Sequence, residues 1–97
     1  MIITLSPIRT DQTYTLERSG EALVFDGQRV DFAGLEKGSV LENDALDCPW
    51  ILGDVTRDAE GVLRIVLALP LSDEASDDAL YPKPIEKPED GPIKLPT

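Results

Sequence analysis

Two turn signals seven residues apart, Ser19-Gly20 and Asp26-Gly27, constrain the fold of this 97-residue chain more than any other feature. They punctuate "TLERSGEALVFDGQRVDF" (residues 15 to 32). Asp-Gly, and more weakly Ser-Gly, suit the positive φ values of two-residue hairpin loops. A turn at Asp26-Gly27 sets Phe25 opposite Gln28 and Leu23 opposite Val30. A turn at Ser19-Gly20 sets Arg18 opposite Glu21, Leu16 opposite Leu23 and Tyr14 opposite Phe25. The two registers agree: Leu16, Leu23 and Val30 form one row, with Tyr14 and Phe25 on the same face. Thr13, Thr15 and Glu17 fall on the other. A slip of one residue would carry the whole row to the wrong side. The spacing therefore predicts a three-stranded antiparallel meander with one buried face.

A second hairpin follows. "WILGDVTR" (50 to 57) and "VLRIVLAL" (62 to 69) flank "DAEG" (58 to 61), whose Asp and Gly suit a type I turn with a bulge. Pairing Arg57 with Val62 sets Trp50 near Leu69 and Leu52 near Leu67. Leu63, Ile65, Leu67 and Leu69 make one apolar face, and Val62, Val66 and Ala68 make the other, broken by Arg64. A strand apolar on both sides belongs in the middle of a sheet or between two layers. Arg64 is expected near Val55, with solvent or Asp54 balancing its charge. "IITLS" (2 to 6) supplies a further short strand whose hydrogen bonding ends at Pro7. Ser39 and Glu42 have capping-box spacing, with Leu41 and Ala45 on one face before Pro49, which supports one or two helical turns. The fold class is mainly β: a small antiparallel sheet domain, a meander plus a hairpin, with at most one short helix.

From Leu71 the composition changes. "SDEASDDAL" is acidic, and "YPKPIEKPEDGPIKLPT" holds five of the eight prolines. Proline at 84, 88, 92 and 96 excludes both a regular helix and a central strand. The chain thus divides into a β domain, 1–70, and an acidic, then Pro-rich, extended C-terminal arm, 71–97. Cutting after Leu71 is expected to leave the β domain folded. Tyr81, Ile85, Ile93 and Leu95 are the candidate partner-binding residues; such residues either strap the arm to the sheet or meet another protein.

Chemistry is tightly bounded. The chain has no histidine and one cysteine, which removes histidine-based nucleophilic relays, histidine-ligated zinc, intrachain disulfides and multi-cysteine metal sites. Cys48, beside Pro49 and Trp50, reads as a small core residue, and Trp50 as core. Asp73, Glu74, Asp77 and Asp78 are the best metal candidates. They lack the alternating carboxylates and central glycine of an EF-hand loop, so they read as a solvated loop or short helix start. Gly34 and Gly38 have neither the lysine nor the strand-to-helix context of a phosphate loop. No enzyme activity, cofactor or metal is expected.

Nineteen acidic and nine basic residues give a net charge of −10, which disfavours nucleic-acid binding. The charge either confers solubility or imitates DNA for a basic partner. No apolar run approaches the roughly 18 residues of a membrane span. The longest, "VLRIVLALPL" (62 to 71), is interrupted by Arg64 and Pro70. "MIITLSPIRT" lacks the basic leader and apolar core of a secretory signal.

The segments "ITLSPIR", "TLERSGEALVFDGQRVDF", "WILGDVTRDAEG", "VLALP" and "DGPIKLP" together resemble small uncharacterised proteins of tailed phages and prophages, encoded among tail and tail-fibre genes. The resemblance spans nearly all of the chain. It implies a non-enzymatic, tail-associated structural or adaptor protein that assists assembly, contacts a phage tail or tail-fibre protein, and resides in the virion or the bacterial host cytoplasm. The alternative is a small acidic DNA mimic that inhibits a host DNA-binding protein. Carboxylates spaced along one face would mark the mimic, and scattered charge the adaptor. The oligomeric state is open.

Overall fold

Strand β7 (Leu63–Leu71) organises the molecule. In the computed structural model, which describes residues 1–10, 12–71, 77–86 and 88–95, it buries Leu63, Ile65, Leu67 and Leu69 on one face and Ala68 on the other. Being apolar on both sides, it takes the centre of a five-stranded sheet, as expected. The other strands of that sheet are β1 (Ile2–Arg9), β5 (Val40–Leu41), β6 (Val55–Arg57) and β8 (Ile85–Glu86), in the order β5-β6-β7-β1-β8. A second sheet holds β2 (Leu16–Ser19), β3 (Ala22–Phe25), β4 (Gln28–Asp31) and β9 (Gly91–Ile93), in the order β4-β3-β2-β9. The chain is mainly β and rich in antiparallel pairs, and no helix among the described residues exceeds four residues.

Strand β1 departs from expectation. It runs past Pro7 to Arg9 and pairs with β7 in parallel, from Ile2↔Arg64 to Arg9↔Leu71. The reason lies in the alternation of a parallel ladder. Thr10 N–H donates to the Leu71 carbonyl, so Ile8, Ser6 and Thr4 face β7 while Pro7 turns its nitrogen away. On that far side β8 reaches only Ile2 and Ile3. Pro7 therefore costs the sheet no hydrogen bond.

The meander forms with its second register as read: Leu23 faces Val30 and Phe25 faces Gln28. Asp26 and Gly27 take φ values of 50° and 86° in the turn. Asp26 Oδ1 reinforces it by accepting the Thr15 N–H at 2.7 Å. The first register is corrected by two residues. Leu16 faces Phe25, Arg18 faces Leu23, and Ser19 and Ala22 close the hairpin. The turn is thus Gly20-Glu21 and not Ser19-Gly20. Only its first residue has positive φ (Gly20, +62°), the requirement of a type II′ turn. Because the shift is even, every side chain keeps its face. Tyr14, Leu16, Leu23 and Phe25 are buried, and Val30 packs beside them.

The second hairpin is also corrected. Arg57 pairs with Leu63 and Thr56 with Arg64. The turn at Asp58 is closed by Gly61 N–H donating to the Asp58 carbonyl at 3.0 Å, and Gly61 (φ +90°) supplies the bulge. Further along, Ile51 meets Leu67, with Leu52 N–H bonded to the Val66 carbonyl and Ala68 N–H to that of Trp50. Leu52 and Trp50 therefore do not face Leu67 and Leu69. The extra residues are absorbed around Gly53, in the left-handed region at φ +70°. Arg64 is held by Asp58 (3.4 Å) and not by Asp54, which instead accepts the Asn43 N–H.

No helix starts at Ser39, since Val40 and Leu41 pair with β6 as β5. A single 3-10 turn follows at Asn43–Ala45, with no side-chain cap. The Asn43 amide is committed instead to the Ile51 and Gly53 carbonyls. One α-helical turn, α1, covers Asp77–Leu80. Ile3, Leu5, Ile65 and Leu67 from the first sheet and Leu16, Leu23 and Phe25 from the second belong to one core.

Candidate interaction surface

The arm, whose prolines exclude a regular helix and a central strand, contributes one edge strand to each sheet. β8 adds to β1 through Ile3↔Ile85 and Ile2↔Glu86. β9 adds to β2 through Leu16↔Ile93, Glu17↔Pro92 and Arg18↔Gly91. Glu17 directs its main chain to β3, as shown by the hairpin-closing pair Ser19↔Ala22 two residues on. Pro92 consequently sits in a pair that exchanges no hydrogen bond, with its missing donor facing outward. Between the two strands the arm is pinned to the β2–β3 turn. Arg18 Nη1 donates to the carbonyl of Pro88, which is buried, and Asp90 Oδ1 accepts the Gly20 N–H at 3.0 Å.

The four candidate residues separate. Ile85, Ile93 and Leu95 are partly buried against the core. Tyr81 is 80% exposed, beside the exposed Leu80. Its N–H donates to the Asp77 carbonyl, and Ala79 anchors α1 by being fully buried. An aromatic side chain thus projects into water from the end of a helical turn.

The interior aromatics do a different job. Tyr14 stacks on Trp50 and Phe25 at centroid separations of 4.5 and 5.6 Å. Its hydroxyl donates to the Ala68 carbonyl at 2.7 Å. Burial, and secondarily the Cys48 thiol, push this phenol well above its ordinary pKa of 10.0. Cys48 is buried and Trp50 packs against the core, as their sequence context suggests.

Five of the nineteen acidic residues brace turns. Asp26, Asp31, Asp54, Asp58 and Asp90 each accept a main-chain N–H at a turn, from Thr15, Ala33, Asn43, Val62 and Gly20 respectively. Asp58 also takes the Glu60 N–H, and these amides, with Arg64, hold its carboxyl below the ordinary value of 3.8. Asp73 and Glu74 lie outside the described residues, among which no group of three or more metal-ligating side chains occurs.

Arg57 escaped sequence reasoning. Its guanidinium is nearly buried, donating to the carbonyls of Leu35, Phe32 and Gly61 and to Glu21. The available signal was alternation, since Arg57 shares a strand face with the buried Val55.

Among the described residues, no helix is long and apolar enough to cross a membrane. Comparison with known proteins finds no matching family model, curated relative or solved structure.

Proposed function

We propose that the chain is a non-enzymatic structural or adaptor protein associated with phage tails, presenting its C-terminal arm to a tail or tail-fibre protein during assembly, in the host cytoplasm or the virion. The observation that carries this reading is Tyr81, 80% exposed on a turn whose neighbour Ala79 is fully buried. Exposed aromatics on an ordered backbone are the residue type that anchors protein interfaces, because little conformational freedom remains to be lost on binding. The resemblance to tail-encoded proteins supplies the partner class.

The alternative reading, a DNA mimic, needs carboxylates displayed as phosphates are. Five of the nineteen acidic residues are oriented by the chain's own turn amides, at turns on both sheets, and scattered placement of this kind favours the adaptor.

The test is capture of tail proteins from a phage lysate by the full chain and by Tyr81→Ala, with and without competing duplex DNA. The adaptor reading expects a tail or tail-fibre protein to be retained by the full chain, lost with Tyr81→Ala and indifferent to DNA. Capture of a host DNA-binding protein that duplex DNA displaces, with Tyr81 irrelevant, overturns it.

A further inference from the structure

We propose that β4 is a self-association edge: two copies of this chain pair their β4 strands antiparallel about a two-fold axis at Val30, joining two four-stranded sheets into one.

Strand β4 ends its sheet, and among the described residues no strand lies on its outer side. Phe32 N–H donates to the Glu21 carbonyl. In an antiparallel ladder, facing residues alternate with residues turned away. Gln28, Val30 and Phe32 therefore face β3, while Arg29 and Asp31 direct their N–H and C=O groups to the open side. The other edges are less suited. β1 beyond Ile3 carries Pro7 and β9 carries Pro92, each with its missing donor outward, and β5 and β8 span two residues each.

Charge selects both the occupant and the register. The Arg29 and Asp31 side chains share the solvent face, half-exposed and 3.7 Å apart. An axis at Val30 sets Arg29 of each copy opposite Asp31 of the other, in pairs that exchange both main-chain hydrogen bonds. The neighbouring registers that also keep outward groups in contact centre on Arg29 or Asp31, and each sets like charges against one another, which is unfavourable. On the core face, Val30 meets Val30 of the second copy. Where β4 ends, a hollow of about 250 Å³ is lined by Asp31, Phe32, Gly34, Leu35 and Leu41. A strand reading positive–apolar–negative is its own antiparallel complement.

Sedimentation velocity at physiological ionic strength, where the chain's net charge of −10 is screened over about 8 Å, reads the monomer–dimer equilibrium. Arg29→Asp and Asp31→Arg should each weaken the dimer about tenfold, since symmetry places the like-charge contact twice in every dimer. The double variant Arg29→Asp/Asp31→Arg restores opposite charges in the same register and should recover the dimer. Hydrogen exchange on the unaltered protein gives an independent readout that no folding defect can confuse. The Arg29 and Asp31 amides should gain protection as concentration rises, while the Leu5 amide does not. A chain that stays monomeric at about millimolar concentration overturns the proposal. So does a dimer indifferent to the single reversals, or a double variant no better than either.

Discussion

The guanidinium of Arg57 lies 3.2 Å from the Glu21 carboxylate, joining β6 of one sheet to the β2–β3 turn of the other. The same group holds the carbonyls of Leu35, Phe32 and Gly61. Arg57→Ala leaves these acceptors without their donor and should cost about 2 to 4 kcal/mol in urea unfolding. Arg57→Lys should not restore the loss, because a single ammonium cannot reproduce the planar fork. Glu21→Gln, at a half-exposed site, should fall within about 1 kcal/mol of the parent. A lysine variant as stable as the parent would show that the fork geometry is unimportant.

Asp58 makes stability depend on pH at the acid end. The Val62 N–H is the largest cause of its lowered pKa, followed by the Glu60 N–H and Arg64. The unfolded chain therefore takes up the proton before the folded one. The resulting stabilisation is complete above the ordinary value of 3.8 and is lost as the pH falls through the folded pKa. Melting temperatures between about pH 5 and pH 2 should decline more steeply for the parent than for Asp58→Asn, which keeps an acceptor without the charge. Parallel curves would count against this assignment.

Tyr14 should act at the alkaline end. Its folded pKa lies above the ordinary 10.0, chiefly through burial, so its contribution is present below that value and is lost as the unfolded phenol begins to ionise. Tyr14→Phe removes the bond to the Ala68 carbonyl and should cost about 1 to 2 kcal/mol at neutral pH. The gap between parent and variant should narrow as the pH rises beyond 10.0. A constant gap would mean that the phenol titrates alike in both states.

How much of this was legible in the sequence depended on how far the cause lay from the residue. Asp26-Gly27 set its own register because both turn residues tolerate positive φ. At Ser19-Gly20 the glycine takes the first turn position and not the second, yet the even shift leaves Leu16 and Leu23 on the buried face. The parallel β1–β7 pair was not legible, since it depends on which side of β1 Pro7 faces once β7 is in place. The arm divided in the same way. Its prolines excluded a regular helix and a central strand, whereas the pairing of β8 and β9 at the sheet edges and the docking of Pro88 and Asp90 onto Arg18 and Gly20, 70 residues away, leave no local trace. Separating Tyr81 from Ile85, Ile93 and Leu95 likewise required the neighbours that bury the last three.

Those arm contacts reverse the expected outcome of truncation. Cutting after Leu71 removes β8 and β9 from both sheets, together with the buried Ala79 and Pro88. Ile3 and Leu16 each lose one of the two strands that pair with them, and the Arg18 guanidinium loses the Pro88 carbonyl while keeping that of Gly20. Losses of this size are comparable with the roughly 5 to 15 kcal/mol that hold a small domain together. The truncated chain should therefore unfold at much lower temperature or without cooperativity, as followed by the fluorescence of Trp50, the one tryptophan. Tyr81→Ala removes an exposed side chain and should leave stability within about 0.5 kcal/mol of the parent. The pair of variants separates the arm's two roles: truncation tests the clasp, and Tyr81→Ala tests the surface the clasp presents. A truncated chain that melts with the parent's midpoint and cooperativity would mean that the β8 and β9 pairings contribute nothing to stability.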